Sequence, residues 1–265
     1  MLRQRVLTAL LLAPLVLAGL FGLESGPFAI FTAGIVLVAS WEWTNLAGVT
    51  TRRSRLVGIL AAMLFMLMLW HTNAIHQTWP LWVALLGWAL NLYWVVSYPA
   101  TESQWKTTTG RLAMGGWVLL PCWVGFYHVR AEGAVWLLFV LLLVWFADTG
   151  AYFAGRRFGR RKLAPAVSPG KTWEGVMGGV VATTVLALSF VLWLRLSIEE
   201  SMVLVMITMV ITLVSVLGDL LESMLKRSRG IKDSSALLPG HGGILDRIDS
   251  LTAAVPIFAL LHSWI

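Results

Sequence analysis

The sequence predicts an all-α, polytopic transmembrane helical bundle, and three observations predict it. Of 265 residues, 58% are hydrophobic and only 12% are charged, which leaves too little polar surface to cover an apolar core in water. The apolar residues gather into about nine stretches close to the roughly 20 residues that a spanning helix needs. Lysines and arginines collect in every second connection between those stretches, as they do in cytoplasmic loops. A water-soluble globular domain is therefore excluded.

The stretches run over approximately 6–23, 27–47, 56–71, 80–99, 112–130, 134–154, 173–197, 201–222 and 251–265, each bounded by charge or by Gly and Pro clusters. Arg3 and Arg5 precede the first. A cleaved signal peptide would also explain that segment, although no clear small-x-small cleavage site follows it, and either reading puts the start of the chain in the cytoplasm. With alternating spans, every one of the 20 lysines and arginines except Arg130 and Arg195 falls on the cytoplasmic side, and Ile265 lies on the opposite side. The net charge of +7 is then a cytoplasmic-face charge, suited to anionic headgroups or phosphates. Cys122, in LLPCWVGF, is the single cysteine, so intrachain disulfides are excluded and the thiol is read as a core residue. No internal repeat or soluble domain is visible, and residues 1–265 are read as one membrane domain. Residues 1–130 supply N-terminal spans, and 131–265 supply the catalytic spans with two polar cytoplasmic loops, 155–172 and 223–250.

Ionised side chains within a span are costly, so each is a candidate for function. Glu42 in SWEWTN is explained by a helix end reaching the headgroup region beside two tryptophans. Asp148 in FADTGAYFAG divides evenly between structural and functional readings. Asp219 is followed by Glu222, Ser223, Lys226 and Arg227 at helical spacing, which predicts carboxylates, a hydroxyl and cations on one stripe of one helix. In LLPGHGGILDRIDS, Pro239 and the glycines 240, 242 and 243 predict a re-entrant or interfacial loop that permits close backbone approach to a ligand. Asp246 and Asp249 follow three apart, on one face if helical, with Arg247 directed elsewhere. Together with Asp219 they form a set of hard oxygen ligands suited to Mg²⁺, with Asp219 and Asp246 expected at one shared site. The plainer alternative is a loop in which Asp249 caps the last helix. In the other loop, RRFGRRKLAPAVSPGKTWEG, the clustered arginines answer to the positive-inside rule. Ser168 and Lys171 flank a glycine turn at a helix start, where free N–H groups favour phosphate, with Thr172 as a plain helix cap the alternative.

The segment SMLKRSRGIKDSSALLPGHGGILDRID resembles the signature of the CDP-diacylglycerol synthases, or phosphatidate cytidylyltransferases, at Ser223, Lys226, Arg227, Lys232, Asp233, His241, Gly242, Gly243, Asp246, Arg247 and Asp249. ADTGAYFAGRRFG and SPGKTWEG are also similar to that family, so the resemblance covers about 148–249, while 1–130 match only in hydropathy. It implies transfer of the cytidylyl group of CTP to phosphatidate, giving CDP-diacylglycerol and pyrophosphate in phospholipid biosynthesis, at the cytoplasmic face of the inner membrane. It implies Mg²⁺, with room for a second metal ion, held by Asp219, Asp246 and Asp249. Phosphate contacts fall to Ser168, Lys171, Ser223, Lys226, Arg227 and Lys232, with Arg247 also at the substrate and His241 orienting a phosphate or donating a structural hydrogen bond. CTP, phosphatidate and the bilayer are the expected partners, a homodimer is left open, and no nucleic acid is expected. The rival class, an ion-coupled transporter, would place its acids near mid-membrane on broken helices in matching halves.

Overall fold

The computed structural model describes residues 2–265; for residues 2–7 and 9 it describes the backbone only, so the side chains of Arg3 and Arg5, on which the inward N-terminus is read, lie outside it. The described residues form ten α-helices and one small hairpin: α1 Leu2–Gly22, α2 Ser25–Leu46, α3 Arg52–His71, α4 Trp79–Val96, α5 Glu102–Trp105, α6 Thr108–Glu132, α7 Ala134–Phe158, β1 Lys162–Ala164, β2 Ser168–Thr172, α8 Trp173–Leu194, α9 Ile198–Arg229 and α10 Leu245–Leu261. Every predicted stretch is helical. Among the described residues, seven helices are long and apolar enough to cross a membrane: α2, α3, α4, α6, α7, α8 and α9. The apolar part of α1, Leu10–Gly22, and the 17-residue α10 are shorter.

Local chemistry explains where the key helices begin and end. A capping box starts α9: Glu200 N donates to Ser197 Oγ and Ser197 N to Glu200 Oε2. Gly230, in the left-handed region at φ +67°, ends it after Lys226, Arg227 and Arg229, cations that suit the negative end of the helix dipole. At 32 residues α9 is about 48 Å long, against about 30 Å of hydrocarbon, so its polar last turns reach beyond the apolar layer. Small residues let α7 and α8 pack backbone to backbone: a side chain on Gly179 would collide with the Ala147 carbonyl and one on Gly150 with that of Gly178.

Two expectations are corrected. Residues 168–172 are not a glycine turn but strand β2, paired antiparallel with β1 in the register Lys162↔Thr172 and Ala164↔Ser168. The bundle is thus all-α apart from this hairpin. Strand propensity in SPGKT is low, and the pairing is imposed from outside: Trp173 N donates to the Arg161 carbonyl, and Glu174 accepts from Arg160 N and Arg161 N. The last helix starts at Leu245 rather than 251, so Asp249 lies inside it and is not its cap.

Candidate active site

The carboxylates and cations meet where the end of α9, the start of α10, the end of α7 and the β1–β2 hairpin come together. Thr172 caps α8 by accepting from Gly175 N, which places the preceding residue, Lys171, toward α9. Its Nζ lies 2.6 Å from Asp219 Oδ2, and Ser223 Oγ donates to Asp219 Oδ1 at 3.2 Å. Asp249 is an electrostatic neighbour of Asp219 and Asp148, and Arg247 of Asp148. Lys226, one turn beyond Glu222, bridges Glu222 Oε2 at 2.6 Å and Asp246 Oδ1 at 2.9 Å. The predicted single stripe on α9 therefore divides in two: Asp219 and Ser223 face Lys171, while Glu222 and Lys226 face Asp246. A helix turns 100° per residue, so positions 219 and 222 diverge enough to meet different neighbours.

The glycine-rich loop is built around two acids. Its Leu238–His241 turn has Pro239 second and Gly240, at φ +78°, third, the type II pattern that needs a residue tolerant of positive φ; His241 N closes it on the Leu238 carbonyl at 2.9 Å. Asp246 Oδ2 accepts from Gly243 N at 2.7 Å, Ser234 Oγ at 2.9 Å and Ser234 N at 3.0 Å. Glu42 is the second organiser. It is fully buried, and its carboxylate accepts from Leu245 N at 2.6 Å, Ser235 Oγ at 2.6 Å, Ile244 N at 3.1 Å and Ser234 Oγ at 3.3 Å. The expectation of a headgroup-facing Glu42 is thus overturned. A distant helix places a negative charge on the otherwise unsatisfied N–H groups that open α10, because the loop residues before α10 supply no capping side chain. Gly243 admits this contact, since a Cβ there would sit 2.6 Å from both Glu42 oxygens. Asn45 adds a hydrogen bond from Nδ2 to the Ser234 carbonyl at 3.0 Å.

The structure thus brings Lys171, Asp219, Ser223 and Asp249 together with Asp148 and Arg247, and Lys226 and Asp246 together with Glu222. Arg227 Nε donates to the Val167 carbonyl at 3.3 Å, which holds the hairpin turn beside half-buried Ser168. Lys232 is exposed on the loop, and the buried Nδ1 of His241 has no hydrogen-bond partner among the described residues. Glu42, Asn45, Ser234 and Ser235 were missed as site residues. The one available signal was an ionisable residue within the second apolar stretch, Glu42 itself.

Asp148, Asp219 and Asp249 offer the hard oxygen donors that Mg²⁺ prefers, so the donor chemistry fits such an ion. Among the described residues no three Asp, Glu, His or Cys side chains close around one point in this conformation. Lys171 and Lys226 instead neutralise Asp219 and Asp246.

Residues 3–265 match the family model described as "Cytidylyltransferase family". The chain belongs to the cytidylyltransferase family. It is 44% identical over 265 residues to the phosphatidate cytidylyltransferase of Pseudomonas aeruginosa, covering 98% of this chain and 97% of that one. It is 40% identical to the Haemophilus influenzae phosphatidate cytidylyltransferase over the full length of both chains. The corresponding protein of Staphylococcus saprophyticus is 43% identical over 135 residues, about half of each cytidylyltransferase.

Proposed function

We propose that this cytidylyltransferase transfers the cytidylyl group of CTP to phosphatidate, forming CDP-diacylglycerol and pyrophosphate. The observation that carries the reading is the meeting, at one end of a bundle of apolar helices, of Asp148, Asp219 and Asp249 with Lys171, Lys226 and Arg247. A lipid phosphate and a nucleotide triphosphate both require cations at a membrane margin, and their transfer chemistry rests on positioning and charge stabilisation. A phosphate oxygen of phosphatidate attacks the α-phosphorus of CTP; the new P–O bond forms as the bond from the α-phosphorus to the bridging oxygen breaks, and that electron pair leaves with pyrophosphate. The attacking phosphate is already ionised, so no side-chain base is required.

In this reading Ser168, Lys171, Ser223, Lys226, Arg227, Lys232 and Arg247 contact phosphates, and His241 orients one. Asp219, Asp246 and Asp249 would hold Mg²⁺, with Asp219 and Asp246 giving up Lys171 and Lys226 for the ion, which when bound stabilises charge on the transferring cytidylyl group. Lys171 exchanges Asp219 for a phosphate as the substrates arrive. An apolar cavity of ≈ 360 Å³ lined by Val95, Tyr98, Val167, Trp173, Leu217 and Leu220 lies beside the hairpin and suits an acyl chain. Asp246 and Asp249 stand in the first turns of α10, and Asp148 and Asp219 lie in the C-terminal halves of α7 and α9; these helices are continuous rather than broken at the acids, which argues against the transporter alternative. Incubation of the purified chain with labelled CTP, phosphatidate and Mg²⁺ tests the proposal: CDP-diacylglycerol and pyrophosphate are expected, and CTP hydrolysis without a lipid product would refute it.

The topology that goes with this reading has α1 and α10 as the first and last of nine spans, in the inner membrane, with the N-terminus and the active site facing the cytoplasm. The distribution of lysine and arginine supports it. A reporter fused after Ile265 is expected to be active only outside the cytoplasm; activity inside would overturn the orientation.

A further inference from the structure

The end of the bundle remote from the catalytic cluster contains a second cavity, of ≈ 780 Å³, that the transfer reaction does not use. Its walls come from the start of α4, the end of α6, the first half of α9 and the end of α10. Each of these helices has its other end at the catalytic side, which separates the two sites by the thickness of the bundle. Leu85, Met206 and Val210 make much of the lining apolar, and Trp82 and Trp264 are largely exposed at it.

Polar side chains interrupt this lining: the hydroxyls of Thr78 and Ser263, the imidazoles of His128 and His262, and the Glu132 carboxylate. Nε2 of His128 and Nε2 of His262 are both buried without a hydrogen-bond partner among the described residues. The backbone carbonyls of Ile75 and Gln77 lie within reach of the His128 ring, and Glu132 is an electrostatic neighbour of both histidines. The His262 ring packs edge-on against Trp136 at 4.6 Å between centroids, so its orientation is set by packing. A neutral imidazole with one nitrogen donating presents the other as an acceptor. The cavity therefore carries two unpartnered imidazole nitrogens and a negative charge, with no lysine or arginine among its lining residues to recognise a phosphate.

We propose that this cavity binds the primary ammonium headgroup of an amphiphile from the leaflet opposite the catalytic face. A metal ion fits less well, because the two imidazoles and the carboxylate do not close on one point, and the space far exceeds that of an ion. A primary ammonium carries three N–H donors and a positive charge, so it can pair with Glu132 and donate to an orphan imidazole nitrogen without needing all three groups to converge. A quaternary ammonium has no N–H to donate, and an anionic headgroup would meet the Glu132 carboxylate. The apolar lining suits an acyl chain.

The test uses the purified full chain in detergent, titrated with phosphatidylethanolamine, phosphatidylcholine or phosphatidylglycerol of one acyl composition, with affinity read by native mass spectrometry and thermal stabilisation. Phosphatidylethanolamine is expected to bind roughly tenfold more tightly than the other two, the size of one charge-assisted hydrogen bond. Glu132→Gln, at an exposed position, should remove that preference and leave cytidylyl transfer unchanged, and His128→Phe should weaken it. Equal affinity for phosphatidylcholine, tighter binding of phosphatidylglycerol, or a preference that survives Glu132→Gln would each overturn the proposal.

Discussion

Glu42→Gln isolates the contribution of a charge brought to the catalytic loop from another helix. The substitution preserves shape but turns one carboxylate oxygen into an N–H₂ group facing the hydroxyls or N–H groups of Ser234, Ser235, Ile244 and Leu245. Hydrogen bonds to a charged acceptor contribute about 1.5–3 kcal/mol each, and a buried N–H left without an acceptor costs about 1–3 kcal/mol. Turned one way the amide leaves Leu245 N facing N–H₂, and turned the other it leaves Ile244 N so, while the Ser235 hydroxyl can switch from donating to accepting; one backbone N–H loses its acceptor either way. The neutral acceptor also gives up about 0.3–1 kcal/mol of interaction with the α10 dipole. A net loss of about 2–4 kcal/mol lowers the ordered loop population relative to the disordered one by roughly 30- to 1,000-fold. CDP-diacylglycerol formation should fall by up to that factor, less whatever stability the loop holds in reserve. Amide hydrogen exchange in residues 233–245 should accelerate while exchange in α7 and α8 stays as it was. Activity within about twofold of wild type, well below the factor for 1.4 kcal/mol, together with unchanged exchange, would refute the reasoning.

The remaining predictions separate loop building from chemistry. Gly243→Ala places a Cβ 2.6 Å from both Glu42 oxygens, so it should reproduce the loss seen in Glu42→Gln, and the double variant should be hardly worse than either alone. Asp246→Asn should speed exchange around Ser234 and Gly243, whose N–H groups it caps, whereas Asp219→Asn should abolish transfer with exchange there unaltered. Lys171→Met frees Asp219 from its 2.6 Å partner, so binding of Mn²⁺ without nucleotide, followed by electron paramagnetic resonance, should tighten by about tenfold or more while turnover falls. Unchanged Mn²⁺ affinity would show that Lys171 does not compete with an ion for Asp219.

The predicted apolar stretches form helices, seven of which, among the described residues, are long and apolar enough to cross a membrane; a chain crossing hydrocarbon must satisfy its backbone within each segment, and that requirement is written in composition alone. The acids at 219, 246 and 249 and the cations at 171 and 226 were likewise legible as candidates, since ionisable groups stand out against an apolar background. What only the tertiary structure decided is which of these groups meet. The 100° turn per residue sends Asp219 toward Lys171 and Glu222 toward Lys226 and Asp246, a division that depends on which helices flank α9. The hairpin at 162–172 owes its pairing to Glu174 and the neighbouring backbone rather than to strand propensity. Glu42 looked like a residue bound for the headgroups, because the cost of burying a carboxylate is visible in sequence and the donors that offset it are not. Those donors, Ser234, Ser235, Ile244 and Leu245, lie some 200 residues away along the chain, and only the packing of α2 against the start of α10 brings them to its oxygens.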